Sequence, residues 1–197
     1  MIKLFKYISF FALTFFIEHI ETGCANMIPP SGGPRDSIPP KLFAALPKDS
    51  AMNVTTNKIT LVFDEYIDGK DIQKNLIVSP YPKNAPIIEN KLRNVTIKLK
   101  DTLEANTTYS LNFGDGIKDV NEGNIAKNFK YVFSTGKTID QNTFSGNVIL
   151  AETGKLDTTL IVVLHRNLAD TSIYKNRPRY YTRLDSKGKF VFSNLPE

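Results

Sequence analysis

The sequence predicts an all-β protein: an antiparallel sandwich and then a second, incomplete β-sandwich, both behind an export signal and a proline-rich tether. Three observations support this. Apolar and polar residues alternate with a period of two in residues 58–64, 94–100 and 107–113. That period puts Ile59, Leu61 and Phe63, then Val95, Ile97 and Leu99, then Tyr109, Leu111 and Phe113 on one face of three strands. Short β-branched and aromatic runs recur between clusters of Gly, Asn, Asp and Pro, and no long stretch repeats at the helical period of 3.6.

The chain opens with a short basic stretch containing Lys3 and Lys6, followed by an uncharged apolar run over residues 7–17. Eleven apolar residues are too few for a helix crossing a bilayer, which needs about 20, and the basic-then-apolar order is that of a secretory signal. The pair Thr22-Gly23 stands directly before Cys24, the only cysteine of the chain. This arrangement resembles a bacterial lipobox, although Glu21 occupies a position where an aliphatic residue is usual. The resemblance implies cleavage after residue 23 and acylation of Cys24, which would tether the protein to a membrane without spanning it. Residues 24–37, rich in Pro and Gly, are expected to form the lipidated spacer.

Candidate strands then follow over residues 41–45, 58–64, 75–79, 86–89, 94–100, 107–113 and 129–135. Seven short strands at this spacing fit an antiparallel sandwich, with Phe63, Leu99 and Tyr109 in its core. The stretches Ile38-Pro-Pro-Lys-Leu, Lys58-Ile-Thr-Leu-Val-Phe-Asp-Glu-Tyr-Ile-Asp and Ile117-Lys-Asp-Val-Asn-Glu-Gly-Asn, with Tyr131-Val-Phe-Ser-Thr, resemble in order the landmarks of the bacterial SbsA-type Ig-like domain. The likeness covers residues 38–137 and implies a β-sandwich used as a spacer or binding module. The whole arrangement is similar to Ig-like lipoproteins of the Bacteroidota.

Residues 143–197 carry a second β pattern: runs at 143–150, 159–165, 180–185 and 188–197. The Gly188-Lys-Phe strand leading into Asn194-Leu-Pro resembles the start of a carboxypeptidase-regulatory-like, prealbumin-type sandwich. The sequence stops at Glu197, inside that motif, so this sandwich is expected to be incomplete and to leave an open sheet edge.

Composition narrows the function. With 41% hydrophobic and 23% charged residues the chain is too apolar to be disordered throughout. Its net charge of +5 is interspersed along the chain, whereas nucleic-acid binding needs clustered cations. A single cysteine excludes a disulfide framework and any CxxC metal site. His165, the one histidine beyond the signal-like region, ends an apolar run and reads as a structural residue. No Gly-x-Ser-x-Gly elbow is present. The neighbours Asp64 and Glu65 would point to opposite faces of a strand, which separates them as an acid/base pair.

One loop has the composition of a cation site: Asp115, Asp119, Asn121 and Glu122 place oxygens around a glycine, as calcium would need. The same residues are turn formers, and Asx-type bonding to the backbone is the expectation here, without calcium or another cofactor. Ser37, Ser50, Thr102 and Thr158 each follow an aspartate and precede an apolar residue or Thr, a pattern that resembles Bacteroidota O-glycosylation. The resulting expectation is a non-enzymatic outer-membrane lipoprotein that binds other envelope proteins. The four residues after Cys24 hold no acidic cluster of the kind that accompanies surface export, which favours the periplasmic face. The alternative is a carbohydrate-binding or adhesive lipoprotein, for which Tyr66, Tyr81, Tyr174, Tyr180 and Tyr181 would replace the tryptophan the chain lacks.

Overall fold

The computed structural model describes residues 32–197, so the signal-like run and Cys24 lie outside the described residues. Residues 36–197 form one compact unit. Its first part contains β1 (Leu42–Leu46), β2 (Lys58–Phe63), β3 (Ile67–Asp68), a single helical turn α1 (Ile72–Asn75), β4 (Ile77–Ser79), β5 (Ile87–Lys91), β6 (Asn94–Lys98), β7 (Thr108–Gly114), β8 (Lys118–Asp119) and β9 (Phe129–Ser134). Four strands pair antiparallel in the order β1-β2-β6-β5, three in the order β4-β7-β9, and β3 pairs with β8. Along the edge of β9, residues 50–54 run parallel to it, with Ser50 N donating to Val132 O and Val54 N to Ser134 O.

The all-β sandwich expected from the alternation is present, and its phase is correct. Ile59, Leu61, Phe63, Val95, Ile97 and Leu99 from the first sheet meet Tyr109, Leu111, Phe113, Tyr131 and Phe133 from the second in one buried cluster. Tyr109 and Phe133 stack with ring centroids 5.1 Å apart, and Phe63 meets Phe129 edge to face at 5.4 Å. Two buried tyrosines keep their hydroxyls satisfied from the chain. Tyr131 Oη donates to Pro47 O at 2.9 Å, and Tyr109 Oη accepts from Glu104 N at 2.8 Å. The second bond fixes the strand to the loop before it, as a tyrosine corner does. α1 was not expected, because a single turn has no periodicity to read; it places Ile72, fully buried, against the core.

The outer face of the β4-β7-β9 sheet departs from the expected pattern of one buried and one solvated face. Thr108, Ser110, Val132 and Ser134 are buried as well, because the second β unit lies over them. That unit contains β10 (Asn142–Asn147), β11 (Ile161–Leu164), α2 (Ser172–Lys175), β12 (Tyr180–Arg183) and β13 (Lys189–Leu195). β10 pairs with β13 and β11 with β12, each an antiparallel two-stranded sheet. β12 packs against β4 and β13 against β7. The side chains beneath are small and, apart from Val132, polar, which allows the close approach and lets Thr108 Oγ1 accept from Asp140 N at 2.9 Å. The second unit's own core is small: Leu184, Phe190 and Phe192 are its buried apolar side chains.

Phe63→Ala should destabilise the protein by about 3–5 kcal/mol, the range for removing a buried phenyl group, whereas Thr60→Ala on the other face of the same strand should cost well under that. Chemical denaturation of both variants checks the strand phase; equal effects would place Phe63 outside the core.

Candidate functional site

The acidic loop is built around one buried carboxylate. Asp119, 2% exposed, sits in β8 opposite Ile67, and the chain then turns back over it. Oδ1 accepts from Glu122 N at 2.7 Å and Gly123 N at 2.9 Å, and Oδ2 accepts from Asn124 N at 2.8 Å. Gly123 has φ of +76°, a left-handed conformation that glycine adopts without strain. Burial opposes ionisation of Asp119, but the amide donors of Glu122, Gly123, Asn124 and Asn121 outweigh it and hold its pKa below the usual carboxylate range. The turn therefore uses the oxygens of Asp119 for its own backbone. Asp115 and Asn121 are exposed, and among the described residues no group of three or more His, Cys, Asp or Glu is arranged to hold a metal.

The structure places Glu65 in surroundings that the Asp64-Glu65 dipeptide does not announce. Both lie just past β2, where Asp64 Oδ1 accepts from Lys41 N at 2.7 Å. Glu65 is pushed above its ordinary pKa by burial first, then by the charges of Asp119, Asp36, Asp64 and Glu122. Asp64 is its neighbour in sequence, while Asp36 and the turn holding Asp119 and Glu122 are brought to it by the fold.

A cleft lies where the second unit meets the sandwich. Loops 80–84 and 101–104 of the sandwich face residues 165–167 and 176–179, enclosing a cleft of about 690 Å³. Five hydrogen bonds fasten this side of the joint. Tyr81 N donates to Arg179 O at 2.8 Å, the Arg179 guanidinium grips both oxygens of Glu104 at 2.5 and 2.6 Å, Arg177 donates to Lys83 O at 2.7 Å and Arg183 to Lys74 O at 2.8 Å. The hydrogen bond from Arg179 is the main reason that the Glu104 carboxyl is held below its ordinary pKa, even against burial. At the far end of the joint Lys130 Nζ donates to Ser193 Oγ and Asn194 Oδ1, both at 2.9 Å.

Comparison with known proteins identifies the sandwich. A family model described as a bacterial Ig-like domain matches residues 36–135, half of the chain. The protein belongs to the bacterial Ig-like domain family. No curated protein matches the sequence. Among solved structures, an L,D-transpeptidase from Mycobacterium smegmatis is 17% identical, with 53% of this chain and 43% of that one covered at a TM-score of 0.37. The S-layer protein SbsC, as residues 31–844, is 19% identical over 79% of this chain and 19% of its own, at a TM-score of 0.36. The N-terminal part of SbsC is 14% identical, with 79% and 44% covered at 0.37. The chain thus spans less than half the length of each.

Within the Ig-like domain and the unit behind it, the remaining candidate residues are scattered. Ser37, Ser50, Thr102 and Thr158 are all exposed, and Thr102 is on the wall of the cleft. Tyr81 and Tyr181 meet edge to face at 4.9 Å and 74°, so they form no common flat platform for a sugar. Tyr66 is covered on one side by the Arg93 guanidinium, 5.4 Å from its ring, and Tyr174 stands 85% exposed on α2. The sequence reading missed the joint. Its signal was the concentration of Arg166, Arg177, Arg179 and Arg183 within 18 residues, when the whole chain holds six arginines. His165, read there as structural, lines the cleft with its Nδ1 buried and unpartnered among the described residues.

Two outcomes follow from the carboxylates. Asp119→Ala should cost on the order of 3 kcal/mol, since charge-assisted hydrogen bonds contribute about 1.5–3 kcal/mol and several amides lose their acceptor. Because the folded pKa of Asp119 is depressed, its stabilisation is present at neutral pH and is lost as pH falls below about 4, so Asp119→Ala and wild type should converge in acid melts. The melting temperature should also be the same in millimolar calcium and in chelator, whereas calcium binding to the turn would raise it. Glu65 runs the other way. Its folded pKa is raised, so its ionisation weakens the fold as pH rises past about 4.3, and Glu65→Gln should raise the melting temperature at pH 7 but not at pH 3.

Proposed function

We propose that the protein is a non-enzymatic lipoprotein of the outer membrane, attached through acylated Cys24 and facing the periplasm. Its Ig-like sandwich acts as a scaffold and as a binding module for other envelope proteins. The carrying observation is the joint. A bidentate guanidinium–carboxylate pair is a geometrically demanding contact, and here it fixes a second β unit on an Ig-like domain, so that a composite surface is presented in one orientation. The polar groups of the sandwich support the same reading. Asp119 and Asp101 accept from loop amides, Asp49 from Val132 N, and Glu104 from Arg179. Each is committed to holding a loop, a strand or the joint.

Membrane attachment is proposed from the sequence: the basic start, the apolar run and Gly23-Cys24. Among the described residues no helix is long and apolar enough to cross a membrane. Two acyl chains at about 0.8 kcal/mol per buried CH₂ would hold the protein stably at a bilayer surface.

In cells expressing the full chain, the wild-type protein should sediment with membranes and enter the detergent phase on partitioning. Cys24→Ser should move it to the soluble envelope fraction. Retention of the variant in the membrane fraction at equal yield would refute the lipoprotein reading.

A further inference from the structure

We propose that the cleft at the joint is a binding site for an oxyanion, a carboxylate or phosphate group carried on a flat apolar stem. The site goes beyond the scaffold reading, because it assigns ligand chemistry to a place in the molecule. The argument starts from charge. Lys83, Arg166, Arg177 and Arg179 line the cleft against two carboxylates, Asp101 and Glu104. Both carboxylates are already engaged. Asp101 accepts from Lys83 N at 2.6 Å, from Asn84 N at 3.1 Å and from Asn84 Nδ2 at 2.6 Å, and Glu104 takes the fork of Arg179.

Four cations against two ionised carboxylates leave the cleft with a net charge of +2, and Lys83 and Arg166 act on Glu104 only through space. Among the described residues, the side chains of Lys83 and Arg166 make no hydrogen bond or ion pair. Arg177 commits one N–H to Lys83 O, and the other donors of its guanidinium remain for a ligand. The guanidinium also lies over the Tyr81 ring, 6.0 Å from its centre. His165 also stands on the wall, but its Nδ1 is shielded from solvent, so the donors open to a ligand are those of Lys83, Arg166 and Arg177. The cations stand beside apolar surface from Tyr81 and Pro178, and low-dielectric walls concentrate their field in the cleft. A volume of about 690 Å³ is within the usual range for small-ligand sites, about 300–1,000 Å³. Planar guanidinium groups favour carboxylate and phosphate over halide or water because their N–H pairs match two oxygens at once.

The test titrates the full chain with three probes at low salt, by calorimetry or by protein NMR. N-acetylphenylalanine and its C-terminal amide differ only in the carboxylate, and phenyl phosphate carries the same ring on a phosphate. Saturable binding of N-acetylphenylalanine or phenyl phosphate, with the amide at least tenfold weaker, is the expected result. The tighter of the two acids tells whether the site is suited to a peptide C-terminus or to a phosphoester. Lys83→Gln/Arg166→Gln should weaken the acid at least tenfold, and neither substitution removes a contact of the joint. Should the double variant not fold, Arg166→Gln and Arg166→Lys serve instead, the first weakening the acid and the second largely preserving it. Absence of saturable binding of both acids at millimolar concentration, equal binding of the amide, or unaltered binding by the charge-removing variants would overturn the proposal. Membrane release by Cys24→Ser is read independently, so failure of this site and failure of the lipoprotein reading are distinguishable.

Discussion

The structure depends on one sheet being covered on both faces over most of its length. The inward side of β4-β7-β9 supplies half of the sandwich core, with Tyr109, Leu111, Phe113, Tyr131 and Phe133 buried against the first sheet. Its outward side, with Thr108, Ser110, Val132 and Ser134, is the floor on which the second unit rests. Large residues inward and small residues outward solve two packing problems with one strand register. A two-stranded sheet such as β10-β13 buries too little apolar surface to stand alone in water, so its position over the small-residue face is a condition for its order.

Electrostatics then decides how the parts are fastened. Asp119, Asp101 and Glu104 share one logic: each carboxylate is held ionised by donors of the fold, and each closes a different connection. Asp119 ties a turn, Asp101 ties loop 83–84, and Glu104 ties one β unit to the other. Glu65 is the exception, a carboxylate placed among like charges. Where partners are well satisfied the contact rigidifies, and where they are not the group becomes an electrostatic liability.

The sandwich was legible from sequence because its signal is local. Period-two alternation in residues 58–64 or 107–113 fixes which side chains share a face, and Phe63, Leu99 and Tyr109 are all buried as that phase requires. The Asp119 turn was legible for the same reason, its acceptor and donors lying within five residues. The cleft was not. Glu104 and Arg179 are 75 residues apart, and nothing in either neighbourhood announces the other. The burial of Ser110 and Ser134 was hidden too, since small polar residues look the same under solvent and under a closely packed sheet.

The disparity between the two apolar clusters bears on how the molecule comes apart. Three buried apolar side chains anchor the second unit, while the sandwich holds a core several times larger. A unit secured chiefly by polar contacts across a joint belongs to the low-stability end of the hierarchy of local openings. Amides of β11 and β12 should therefore exchange with solvent through a partial opening that leaves β2, β6, β7 and β9 protected. In such a state the floor of Ser110 and Ser134 is wet and the cleft has lost one wall, so any ligand gripping both walls would act as a clamp that slows exchange in the weaker half alone.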